Sequence, residues 1–229
     1  MLEGRLRDLL WGLCLAGIIA LLAVPATREG LVSLTNAHPF LLGFGKFAIL
    51  ATMGELLSIR ILSGGWKKPK GMLAKAVVWG LIGMIIVLVF AIYSRGVAGA
   101  VAAGLLRVGR GTPAKLLTAF LISLSMNLSF APVFMAAHRL SDTYIDLRVE
   151  GKRPNLDELL LPIDWKGFFR IVLLVTIPAF WVPAHTVTFL LPPDFRVLAA
   201  ALLSLALGVI LAFARRHSPR LHVEEKQRR

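Results

Sequence analysis

The sequence predicts an all-α membrane protein, a polytopic helical bundle of about six transmembrane segments. Three observations lead there. Of 229 residues, 57% are hydrophobic and only 17% charged, where an ordinary soluble domain carries about a quarter charged residues. The mean hydropathy is +0.74. The apolar residues also gather in runs close to the ~20 residues needed to cross a bilayer core. The length suits one compact bundle over 1–229 and is too short for two domains and a linker.

Charge narrows the class further. The formal net charge is +13, but the basic residues punctuate apolar runs and flank their ends. That is the pattern of a chain touching anionic lipid headgroups. A lipid bilayer is therefore the expected partner and nucleic acid is not. The single cysteine, Cys14, lies inside an apolar run, so neither a disulfide framework nor a thiolate metal site is expected. Histidines 38, 138, 185, 217 and 222 are dispersed, so no metal site and no cofactor are predicted.

The candidate spans, in order, are 9–25, 39–63, 73–95, 115–137, 167–190 and 196–214. The first has a signal-peptide alternative, with Val24-Pro25-Ala26 as a cleavage site. A retained helix is the better reading, because residues 1–8 carry no net positive side-chain charge and the apolar run is long for a signal. After the third span, Gly96, Ala100 and Gly104 repeat every four residues and form a stripe where a second helix can approach closely. This stretch either prolongs the third span or forms a short interfacial helix before the break at Gly109–Pro113. The last span carries the same kind of stripe in Ala200, Ser204, Gly208 and Ala212. Both read as helix-packing seams, and they leave room for a homo-oligomer.

The one sizeable polar segment, 139–166, reads as a cytoplasmic loop with a short amphipathic helix. Asn155 is placed to cap it, with Glu158 reaching back. Leu156, Leu159 and Leu160 give it an apolar face, and Pro162 ends it. Asp164 is placed to cap the fifth span. Residues 215–229 form a basic tail. Lysine and arginine placement puts both termini on the cytoplasmic side of a cell membrane, with a bias of roughly three to one. The basic stretch from Arg95 to Lys115 runs against that bias.

Ionisable groups inside a span cost at least ~2.5–3.5 kcal/mol on insertion scales, so each is a functional candidate by default. The second span holds Lys46, Glu55 and Arg60. At 100° per residue, Glu55 points nearly opposite to Lys46 and Arg60, so partners must come from other helices. Arg60 sits near a helix end and is expected to snorkel. Lys46 either reaches the interface as well or turns inward. Glu55 lies deepest, and is expected either to pair with a cation such as Arg170 or to face a polar cavity. In the fourth span, Asn127 among Ser123, Ser125 and Ser129 should find a neighbouring helix, beside the helix-bending Pro132. The fifth span carries Pro178, Trp181, His185 and Thr188 at α-helical spacing on one face. His185 reads as a structural hydrogen-bonder before it reads as a proton relay. Trp66 and Trp165 sit where interfacial anchors belong.

No enzyme signature is present. Gly109-Arg-Gly-Thr-Pro-Ala-Lys115 lacks the ending of a phosphate loop, and there is no zinc-protease or nucleophile-elbow motif. What the residues do resemble is the family of peroxisomal and mitochondrial inner-membrane proteins named after the twenty-two-kilodalton peroxisomal membrane protein. His38-Pro39 precedes Gly54-Glu55, where the family has His-Pro or Lys-Pro and then Gly-Asp. Ile92-Tyr93 stands where it has Trp-Tyr. Trp181-Val-Pro183, His185, Thr188-Phe189, Pro192 and Arg196 follow its final region, with His185 and Thr188 in place of Gln and Asn. The likeness covers roughly 37–214, and implies a bacterial-type relative with a small-solute pathway. Channel-like or transport-related activity on an unidentified small-molecule solute is therefore the leading expectation. The alternative is a structural or partner-binding membrane subunit. Glu55, Asn127, Trp181, His185, Thr188, Lys46 and Arg170 are the pathway candidates.

The charge bias makes a topology expectation. Reporter fusions after residues 68, 155 and 225 should report the cytoplasm, and fusions near 30, 110 and 193 the opposite side. A cytoplasmic signal at 110 contradicts six crossings.

Overall fold

The structure, a computed structural model, describes residues 2–216, with side chains placed over 3–210. Nine helices make up the described chain: α1 (Leu2–Ala23), α2 (Pro25–Ala37), α3 (Pro39–Ser63), α4 (Met72–Ala102), α5 (Gly111–Ser129), α6 (Ala131–Val149), α7 (Leu156–Leu160), α8 (Trp165–Leu190) and α9 (Pro193–Arg216). α1, α3, α4, α8 and α9 are each long and apolar enough to cross a membrane, and α5 and α6 pass the same test only together, as a broken span or a re-entrant loop. The predicted all-α multi-pass bundle is what the chain forms.

α3 is the organising helix, because glycines let two neighbours touch its backbone. Where α3 meets α4, a Cβ placed on Gly83 would collide with the Gly43 carbonyl oxygen. A Cβ on Gly43 would lie 2.9 Å from the Gly83 oxygen and 2.7 Å from Val87 Cγ2. Beside this crossing, the Phe44 ring fills the space left by Gly80. Eleven residues along α3 from Gly43, a Cβ on Gly54 would come 2.9 Å from Leu205 Cα, and one on Gly208 would come 3.3 Å from the Gly54 oxygen. Backbones this close gain dispersion contact that any side chain would prevent. One continuous apolar core then joins α3, α4, α5, α8 and α9 through residues such as Leu50, Ile86, Met126, Phe189 and Ala201.

The two expected seams fare differently. Ala200 is buried, Ser204 half-buried, and Gly208 meets Gly54, so the α9 stripe does pack; Ala212 lies beyond the described side chains. The other stripe does not. α4 prolongs the third span to Ala102, and Gly104 follows it in a left-handed turn at φ 75°. No atom lies within 4 Å of a Cβ on Gly96 or Gly104. The packed face there is Val97 and Val101, about 100° round the helix from the stripe. Gly96, Ala100 and Gly104 therefore form no seam within the described chain.

α1 exposes most of its apolar residues, packs Ile18 and Leu22 on the core, and is tied to α3 by its polar end. Asp8 accepts from Arg60 Nε at 3.0 Å and Nη2 at 3.1 Å, and from Trp66 Nε1 at 2.7 Å. Trp11 Nε1 donates to the Met53 carbonyl at 3.1 Å. Arg60 thus makes an ion pair where snorkelling was expected. Between the first two predicted spans, Pro25 in its first turn starts α2, a helix with no buried residues. Lys46 Nζ donates to Thr35 Oγ1 of α2 at 2.9 Å, so it turns to a neighbouring helix.

The polar segment also begins later than expected. The helix runs through Val149, because no glycine or proline interrupts 133–150. The expected cytoplasmic loop over 139–166 is therefore helical for its first eleven residues, 139–149. Its short helix α7 carries the expected capping box, Asn155 accepting from Glu158 N at 3.0 Å and Glu158 from Asn155 N at 2.8 Å. Asp164 caps α8, accepting from Gly167 N at 2.8 Å. The basic tail over 215–229 falls outside the described side chains.

Gly83→Ala should lower the thermal unfolding temperature in detergent, since the methyl group meets backbone; overpacking of this kind costs about 1–3 kcal/mol. Gly96→Ala, which meets open space, should be neutral or slightly stabilising. Equal losses at both positions contradict the crossing.

Candidate functional site

Two irregular helices shape a space inside the bundle. Pro132 has no N–H to offer the Leu128 carbonyl, so the helix breaks at Phe130 and α6 leaves α5 at 48°. Opposite it, α8 runs in the wide π-helical register over Phe168–Trp181 and returns to α-helix over Val182–Leu190. The last wide-register bond is Val182 N to Ile177 O. Pro183 follows with no donor of its own, which frees the register to change there. Wide-register turns of this kind gather at functional sites.

Between these helices lies a cavity of about 410 Å³, within the ~300–1,000 Å³ of small-molecule sites. α3 contributes Phe47 to its wall, α4 contributes Trp79 and Ile86, and α9 contributes Ala200, Ser204 and Gly208. Met126 and Asn127 come from α5, Phe134, His138, Arg139 and Asp142 from α6, and Phe168, Trp181 and His185 from α8. The wall is mostly apolar and rich in aromatic rings, with one charged side chain of each sign.

The polar part of the wall is an ordered network. Asn127 is 1% exposed and His185 8% exposed, and each needs partners at that depth. Asn127 Nδ2 donates to the Ser123 carbonyl at 2.8 Å and lies 3.1 Å from His185 Nδ1. His185 Nδ1 also lies 3.3 Å from Asn127 Oδ1, so the amide meets the ring nitrogen as donor or as acceptor according to which ring nitrogen carries the proton. Ser123 Oγ donates to the Val182 carbonyl at 2.7 Å and ties α5 to α8 where the register changes. Trp181 stacks on His185 at 5.1 Å between centroids, and Phe90 meets the same ring edge-on at 5.8 Å. Across the wall, His138 packs against Trp79 at 4.3 Å, with its Nε2 3.7 Å from Asp142.

Of the seven pathway candidates, the cavity brings together Asn127, Trp181 and His185. The other four lie elsewhere. Thr188 is buried and returns its hydroxyl to the Ala184 carbonyl at 2.9 Å. Of the expected common face, Trp181 stacks on His185 and Thr188 is buried in the same α-helical stretch, whereas Pro178 is exposed. A spacing of 100° per residue cannot be carried through a wide-register helix. Lys46 is held by Thr35. Glu55 does not pair with Arg170, which is exposed. Its cation is Lys75 of α4, with Nζ 3.7 Å from Oε1, and Lys75 is bound more closely by Asp146 of α6 at 3.0 Å. The correction follows from packing: α3 lies directly against α4, so the first turn of α4 delivers the nearest charge. His138 and Asp142 were missed, because 139 onward read as loop. Their i, i+4 spacing on an uninterrupted helix former was the available signal.

Lys75→Met should leave Glu55 and Asp146 without their shared cation and lower the detergent unfolding temperature, by roughly 1–3 kcal/mol. Arg170→Gln should stay within about 0.5 kcal/mol of the parent. A loss at Arg170 equal to that at Lys75 contradicts the assignment.

Comparison with known proteins yields no match for this chain, whether to family models, to curated proteins or to solved structures.

Proposed function

We propose that this multi-pass membrane protein handles a small molecule, transport-related and not enzymatic, and that the solute's site is the cavity between the broken α5–α6 pair and the wide-register α8. The observation that carries this reading is the junction of two interrupted helices around a buried Asn127–His185 pair. Irregular backbone inside a membrane persists where it is packed in protein or lines a cavity, and interrupted helices are where many transporters bind their solutes. The resemblance to the peroxisomal membrane protein family favours the same class. A cell membrane with both termini cytoplasmic fits the distribution of basic residues.

A purely structural subunit finds support in the glycine contacts of α3, which need no solute to explain them. Those contacts, however, involve α4 and α9, and leave the α6–α8 side loosely filled.

Flux is the test. Vesicles holding the purified protein should take up at least one member of a panel of small solutes, from polyols to planar aromatic compounds, faster than empty vesicles. Ser204→Phe, which places a ring in the cavity, should cut that uptake about tenfold while the protein still folds. Uptake no faster than in empty vesicles across the panel contradicts the transport reading.

A further inference from the structure

We propose that the cavity is a binding site for a hydrophobic organic cation, a single positive charge carried on an apolar body. The inference deepens the proposed function and rests on the same cavity being the small molecule's site. It concerns binding, and transport is a separate outcome of the test.

The rings are the first reason. Trp79 of α4, Phe130 and Phe134 beside the break, and Phe168 of α8 all border the cavity together with His138. His138 packs on Trp79 with centroids 4.3 Å apart and stacks on Phe134 at 6.3 Å and 7°. Phe130 continues that stack at 5.5 Å and 8°. Aromatic faces cover an apolar body well, and their negative quadrupole attracts a cation that has left bulk water.

Charge is the second. Asp142 is the one carboxylate of the wall, one turn beyond His138 on α6. Its side chain is 28% exposed, and His138 Nε2 stands 3.7 Å away, too far for a hydrogen bond. No other donor reaches it among the described residues. Arg139, the basic residue of the wall, is exposed, so its long stem carries the charge out to water. A turn further along α6, outside the wall, Asp146 and Glu55 share Lys75. Three carboxylates, at 55, 142 and 146, therefore stand against two cations, Lys75 and Arg139. The field beside the rings favours a positive occupant.

A metal ion does not suit this wall. Hard cations take about six or more oxygen ligands, whereas the lining is mostly aromatic and aliphatic with one carboxylate. The described residues hold no group of three side chains able to grip a metal. An organic cation needs only a counter-charge and ring faces.

The probe is benzyltrimethylammonium and its control is phenylmethanesulfonate, which has the same phenyl body and a tetrahedral head of opposite charge. Binding is measured by equilibrium dialysis against the full-length protein in an uncharged detergent, with empty micelles subtracted. Only binding lost in Ser204→Phe, which fills the cavity, is counted, so the basic tail does not intrude. The cation should bind about tenfold more tightly than the anion. Asp142→Asn should lose most of that preference. Arg139→Gln, which removes a like charge, should bind the cation at least as tightly as the parent. Equal binding of the two probes to the parent overturns the proposal, as does tighter binding of the anion. So does cation affinity unchanged in a folded Asp142→Asn, or a loss in Arg139→Gln as large as in Asp142→Asn. Cation binding without flux in vesicles leaves this inference standing and removes transport. Flux of neutral solutes without cation binding does the reverse.

Discussion

The backbone of α3 touches the backbone of α4 at Gly43 and Gly83, and that of α9 at Gly54 and Leu205. In a bilayer, helices gain little from hiding apolar side chains, because lipid tails are as apolar as leucine. Close contact has to supply the association instead. Three helices joined through missing side chains make a firm slab, and the remaining helices are set against it. The bent α5–α6 and the wide-register α8 lean on one face of that slab. They meet through Ser123, Asn127, Val182 and His185, hydrogen-bonded side chains and backbone, not through glycine contacts.

That division of labour explains where the cavity is. Glycine-packed helices leave little space, whereas a helix broken at Phe130 and another underwound to π spacing cannot match each other's ridges and grooves. The gap opens where the irregular pair faces Phe47 and Ile86 of the slab. Its polar groups are held, not loose: Asn127 donates to the Ser123 carbonyl, and His185 is fixed by Asn127 on one nitrogen and stacked on Trp181. A site whose residues are locked by their neighbours is pre-organised for an occupant. The ionic cluster of Glu55, Lys75 and Asp146 lies apart from the cavity wall and ties α3, α4 and α6 together.

Much of this was legible in the chain, and the limits are physical. Long apolar runs fixed the crossings, and local chemistry fixed the capping box at Asn155 and the cap at Asp164. The α9 stripe through Gly208 was readable because its neighbour happened to carry Gly54; the equally regular stripe through Gly96 faces nothing. Periodicity shows which residues share a face but not what lies opposite. Gly43 and Gly83 were overlooked for that reason, being single glycines with no repeat. Asn127 and His185 were found as polar groups too costly to leave alone. An α-helical wheel misplaces Pro178 because that segment has the wider register. Arg170 was chosen for Glu55 by depth alone, and depth does not say which helix is adjacent.

The central claim is that the space between α5–α6, α8 and the facing wall of the slab is reachable while the interior of the slab is dry. Thiol reactivity in lipid vesicles tests it directly. In a Cys14→Ser background, single cysteines at Ser204 and Met135, which face the cavity, should react with a small membrane-permeant thiol reagent. One at Leu50 of α3, 2% exposed and inside the apolar core, should not. Equal reactivity at all three positions, or none at Ser204 and Met135, would contradict the account.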